Sequence, residues 1–115
     1  MITFKTFMEN NSSKVFYHVT TQENYHKIMQ HGLVPNVGAR SAKLEEQPQI
    51  FLFTDKESME DAVANWLGDE FDEDKELVVL QVSLPQDFPI QVNGGEATTT
   101  TPIPAKYIQL TNIQV

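Results

Sequence analysis

Two spacings of apolar residues follow one another along this chain, and the change from one to the other happens twice. Val15-Phe16-Tyr17-His18-Val19, after the loop-like Asn10-Asn11-Ser12-Ser13, is rich in β-branched and aromatic residues and predicts a strand. Directly behind it, Tyr25, Ile28 and Met29 fall at spacings of three and four, the apolar face of a helix. Thr20-Thr21-Gln22-Glu23 offers that helix a capping box, with Thr20 as N-cap, and Gly32 ends it. Leu33 can fold back on the last turn, and Pro35 prevents resumption. The same grammar returns at Gln49-Ile50-Phe51-Leu52-Phe53, a short apolar run suited to a strand. Thr54-Asp55-Lys56-Glu57 repeats the capping box, and Met59, Ala62, Val63, Trp66 and Leu67 give a second helix that ends at Gly68. Outside the caps the two units share little, so they are not an internal repeat.

Residues 34–48 separate the units without periodicity, which is long for a plain connection and marks a candidate functional loop. Glu76-Leu-Val-Val-Leu-Gln-Val-Ser-Leu84 is apolar enough for a central strand and is ended by Pro85. Beyond Asn93-Gly94-Gly95 come Glu96, the threonine run 98–101, Pro102-Ile103-Pro104 and an amphipathic strand expected over Tyr107 to Val115. Five or six strands with two helices predict an α+β class, and 115 residues suit one domain, 1–115.

Composition changes this picture in three ways. Sixteen acidic residues against eight Lys and Arg leave a net charge of -8, and the basic residues are scattered from Lys5 to Lys106, so the footprint for a nucleic-acid backbone is missing. Without cysteine there are no disulfides and no thiolate chemistry. The N-terminus lacks the apolar segment of a signal peptide and no 18-residue apolar stretch occurs, so a cytoplasmic location without membrane contact is the expectation.

Few residues stand out chemically. His18 at a strand end is either a structural hydrogen-bonding group or a ligand contact, and capping alone would explain Thr20. The acidic loop Asp69, Glu70, Asp72, Glu73, Asp74 lacks the glycine and distal glutamate of a helix-loop-helix calcium site and reads as a solvated loop. His26 and His31 diverge by about 140° around their helix and cannot share a metal. No P-loop or GxGxxG is present. Glu96, after two glycines and remote from the acidic run, is either a turn residue or a placed acid.

In combination these pieces resemble the ADP-ribosyltransferase fold in its histidine, aromatic, glutamate branch: His18-Val19-Thr20, a helix closing in HGLVP, IFLF leading into AVANW, and Glu96 ahead of PIPAKYI. The resemblance spans roughly residues 15–113 and implies a small, mostly antiparallel split sheet with two short helices. It implies NAD as the substrate-cofactor, with His18 on a ribose hydroxyl and Thr20 on the nicotinamide amide. Phe51, where the family has tyrosine, would stack on the nicotinamide ring. Glu96, the catalytic partner of His18, would engage the reacting ribose. Arg40, the sole arginine, lies outside the family pattern and is assigned to the NAD pyrophosphate. Val19 also departs from the small residue usual between the histidine and the hydroxyl. The implied activity is transfer of ADP-ribose to an acceptor that is a protein, a nucleic-acid end or a small molecule. Two alternatives stay open: a non-catalytic module binding NAD or a related nucleotide, and an acidic interaction protein whose 55–76 segment, ten acids against two lysines, occupies a basic partner.

Overall fold

The computed structural model describes residues 13–35, 48–67, 71 and 75–114. In chain order these form β1 (Ser13–Thr21), α1 (Gln22–His31), β2 (Ile50–Phe53), α2 (Lys56–Asn65), β3 (Leu77–Pro85), β4 (Gln91–Asn93), β5 (Glu96–Thr99) and β6 (Ile108–Leu110), with a 3-10 turn at Ala105–Tyr107 before β6. The class is α+β. All six strands join in one sheet of order β4-β5-β2-β1-β3-β6, antiparallel at every junction. The expected split is therefore not a break between sheets. The junctions differ in extent: β1 and β3 pair along their whole length, Ser13 opposite Pro85 through Thr21 opposite Leu77, whereas β1 and β2 are in register only where Tyr17 meets Phe53.

Both faces of the sheet are covered, which explains why β3 is apolar almost throughout. Leu80, Val82 and Leu84 pack on one side with Phe16, Ile28 of α1, Ile50, Leu52 and Ile103. Val79 packs on the other with Val19, Phe53 and the α2 residues Met59 and Ala62. Each such buried side chain contributes about 1.5–3 kcal/mol relative to exposure. The face towards α1 also holds the pairing of the HGL turn with the PIP segment: Leu33 and Ile103 exchange two backbone hydrogen bonds of 2.9 Å.

Both helices begin one residue later than their capping boxes suggested. Thr20 is still paired with Val78 in the β1–β3 ladder, so the N-cap of α1 is Thr21, whose hydroxyl accepts from the Asn24 amide at 3.1 Å. At α2 the Asp55 carboxylate accepts from the Ser58 amide at 2.7 Å and displaces Thr54 as cap, being the stronger acceptor. That bond is the main reason the Asp55 carboxyl is held below its ordinary range. Glu23, freed from a capping role, pairs with Lys75 at 3.2 Å. The α1 terminus follows expectation at Gly32, but α2 ends at Trp66, and Gly68 lies outside the described residues. The last strand is shorter than its pattern: after Leu110, the Thr111 amide and hydroxyl both donate to the Val79 carbonyl, and the chain turns so that Ile113 packs on the α2 side.

Two predictions follow from the corrected helix ends and from Gly32. Thr21→Ala should cost about 1 kcal/mol in chemical denaturation, and Asp55→Ala should lower the melting temperature more than Thr54→Ala; equal effects at residues 54 and 55 would refute the shifted cap. Gly32 has φ 79° and ψ 180°, a region reserved for glycine, and a Cβ there would run into the Ile103 carbonyl oxygen. Gly32→Ala should therefore destabilise by roughly 1–3 kcal/mol, measured by the same denaturation, and a neutral result would contradict this backbone geometry.

Candidate functional site

The end of β1 delivers polar groups to a cavity because of strand alternation. Tyr17 and Val19 turn towards α2, while Phe16, His18 and Thr20 turn towards α1. Phe16 is core, but His18 and Thr20 lie where β1 leaves β2, and they line a cavity of about 410 Å³ with α1 and the start of β2. This is within the size range of small-molecule sites, about 300–1,000 Å³. Because Thr21 caps α1, the Thr20 hydroxyl is not used for capping. Thr20 is 4% exposed, and its hydroxyl has no hydrogen-bond partner among the described residues. Leaving such a group unsatisfied costs about 1–3 kcal/mol, which a ligand bringing a complementary polar group would recover.

His18 Nδ1 lies 2.9 Å from the Phe51 carbonyl oxygen. A carbonyl only accepts, so Nδ1 carries the hydrogen and Nε2 keeps a lone pair. The bond also closes the β1–β2 joint beyond its single registered pair. Burial pushes the His18 pKa down and outweighs the Phe51 carbonyl, which pulls it up. The imidazole is thus held neutral, an acceptor at Nε2.

The α1 contribution is a stripe at helical spacing, Asn24, Lys27, Ile28 and His31, followed by Gly32 and Leu33. Ile28 is core; the others bring an amide, an ammonium and an imidazole to the rim. Among the described residues no carboxylate lines this cavity, in a chain of net charge -8. Glu23, four residues before Lys27, makes its direct contact with Lys75 at 3.2 Å, while Lys27 attracts it at longer range. Sequence reasoning overlooked Lys27 and weighed His31 only as a metal ligand, although the spacing of both from Asn24 and Ile28 was legible.

The other expected site residues are divided. Phe51 reaches the cavity from β2, is 42% exposed and presents its carbonyl to His18. By alternation with the core residues Ile50 and Leu52, and by its register with Thr98, its side chain belongs to the face that carries Phe53. Glu96 is opposite Phe53 on that same face and lines a separate depression of about 240 Å³ with Asp61, Asn65 and Trp66 of the α2 end. His18 and Thr20 are thus brought together with the Phe51 backbone, whereas the Phe51 ring and Glu96 lie on the other face of the sheet. The glycines before Glu96 have structural work of their own: Gly94, at φ 68°, turns the β4–β5 hairpin, and the Gly95 carbonyl accepts from the Thr54 amide at 2.9 Å. Arg40 and the acidic positions 69, 70 and 72–74 lie outside the described residues. A larger, open depression of about 830 Å³ lies at the far end of the β1–β3 ladder, but its buried lining residues, Leu84 and Ile108, are apolar. No helix among the described residues is long and apolar enough to cross a membrane.

The lowered His18 pKa has a consequence for stability. The unfolded chain takes up a proton near 6.5 and the folded chain resists it, so stability from this group is present above about pH 6.5 and is lost as pH falls towards the folded pKa. The lowered Glu23 and Asp55 values act in a separate window, below their ordinary 4.5 and 3.8. Between pH 7.5 and 5.5 the melting temperature should fall more for the wild type than for His18→Gln; parallel profiles would show that His18 is not held neutral.

No family model, no curated protein and no solved structure matches this chain, so its functional reading stands on the site's own geometry.

Proposed function

We propose that this chain is an ADP-ribosyltransferase-like protein that binds NAD in the cavity between β1, β2 and α1. The observation that carries the reading is the buried Thr20 hydroxyl, without a partner among the described residues, beside the neutral His18. His18 Nε2 accepts from a ribose hydroxyl, and Thr20 hydrogen-bonds the nicotinamide amide. Phe51 contributes its backbone carbonyl, which fixes His18, while its ring lies on the opposite face of the sheet and takes no part in this cavity. In the transfer reaction the bond between ribose C1′ and the nicotinamide nitrogen breaks, the electron pair leaves with nicotinamide, and the acceptor's nucleophile bonds to C1′. Positive charge grows on the ribose as this occurs, and a carboxylate stabilises it. Glu96 is the carboxylate the family resemblance offers.

One observation favours a second reading, a non-catalytic module that holds NAD or a related nucleotide without cleaving it. Glu96 lines a different depression from His18 and Thr20, and among the described residues no other carboxylate lines their cavity. Calorimetry with NAD, ADP-ribose and nicotinamide tests the binding common to both readings; absence of binding by all three at millimolar concentration would remove them together. Nicotinamide release at saturating NAD separates them. The catalytic reading expects a measurable wild-type rate that falls roughly 10² to 10³-fold in a folded Glu96→Gln variant with NAD affinity retained. No release by the wild type with protein, nucleic-acid and small-molecule acceptors would leave the binding module.

A further inference from the structure

We infer that Lys27 and His31 form the phosphate seat of the His18–Thr20 cavity, so that its ligand must carry a phosphate and a nucleoside or free base is bound poorly. The inference deepens the nucleotide reading of this cavity and rests on it. It moves the anion-binding role from the sole arginine to the α1 helix.

Three observations converge. Lys27 and His31 are four residues apart on the stripe of α1 that faces the cavity, flanking Ile28, so they lie one turn apart on the same side of the opening. Lys27 makes no ion pair within 4 Å among the described residues: the Glu23 carboxylate is in direct contact with Lys75 at 3.2 Å and feels Lys27 only through a longer-range attraction. The Lys27 ammonium thus keeps its N–H donors open at the cavity rim. Finally, among the described residues the cavity lining contains two basic groups at its rim, Lys27 and His31, besides the neutral His18, and no acid.

The backbone at this end of α1 cannot do the same work. The Gly32 amide donates to the Ile28 carbonyl at 2.6 Å and the Leu33 amide to the Ile103 carbonyl at 2.9 Å, so neither N–H is free for an anion. The C-terminal half of a helix also presents negative potential, equivalent to about half a charge. A phosphate there must be held by side chains, and a full ammonium charge exceeds the opposing dipole. The His31 imidazole adds an N–H donor beside it. The chemistry this selects is an anionic oxygen cluster, a phosphate or pyrophosphate linked to a sugar whose hydroxyl reaches His18.

The test measures binding of NAD, ADP, inorganic pyrophosphate, nicotinamide riboside and nicotinamide by calorimetry at low and high salt. It uses the wild type, Lys27→Gln, Lys27→Glu and His31→Gln, with Lys56→Gln on α2 as a control of equal net charge. Lys27 and Lys56 are both exposed, so melting curves should show all variants folded. Lys27→Gln should weaken NAD, ADP and pyrophosphate roughly 10-fold, the scale of one charge-assisted hydrogen bond. Lys27→Glu should weaken them further, His31→Gln should weaken them less, and Lys56→Gln should leave them unchanged. Nicotinamide riboside should bind worse than its phosphorylated counterparts, and its affinity should not respond to residue 27. Unchanged NAD affinity in both Lys27→Gln and His31→Gln would overturn the phosphate seat and leave the NAD reading standing. Lys27-dependent binding of ADP and pyrophosphate without NAD would do the reverse. If no phosphate compound binds at millimolar concentration, the seat is refuted.

Discussion

The antiparallel ladder between β1 and β3 is the constraint on which the other features depend. It runs from Ser13 opposite Pro85 to Thr21 opposite Leu77, and its register decides which β1 side chains meet α1 and which meet α2. Side chains alternate with a period of two, so a slip of one residue would turn Val19 into the cavity and drive His18 and Thr20 against Met59 and Phe53. Burial on both faces prevents that slip, since Val79 and Leu80, on opposite sides of β3, are both fully enclosed. The position of the site is thus a consequence of core packing at the paired positions of β3, where Leu80 is opposite His18 and Val79 opposite Val19.

The ladder also explains where α1 begins. Thr20 and Thr21 remain strand residues, and the Gln22 amide still bonds the Glu76 carbonyl at 2.8 Å. The helix starts only after these pairings, with Thr21 as its cap. One threonine is used by the helix and its neighbour is left facing the cavity. On the other side of β1 the joint to β2 is thin, and the His18–Phe51 hydrogen bond sits at this opening, coupling a cavity side chain to sheet continuity.

Electrostatics separates the cavity at His18 from the depression at Glu96. Far from the surface the net charge of -8 repels an anion. That field is screened over about 8 Å at physiological ionic strength, so at the cavity mouth the nearby Lys27 decides. The depression around Glu96 and Asp61 has the opposite sign, and the sheet stands between it and His18.

Much of this architecture was determined by the sequence alone. The strand runs, the amphipathic faces of both helices and the stop at Gly32 are local properties, set by side-chain spacing and backbone freedom, and they were legible without a partner element. His18 and Thr20 were legible too, as polar residues at the end of an apolar run. Tertiary structure decided the rest. Thr21 and Asp55 cap the helices because the sheet retains Thr20 and because a carboxylate outcompetes a hydroxyl. The final strand stops at Leu110 because Thr111 bonds Val79, a partner 32 residues away. Glu96 faces α2 because its register with Phe53 fixes its parity, and Lys27 and His31 meet His18 because α1 folds back beside β1. Register and helix docking depend on contacts distant in sequence, and no spacing within one segment encodes which face another segment will present.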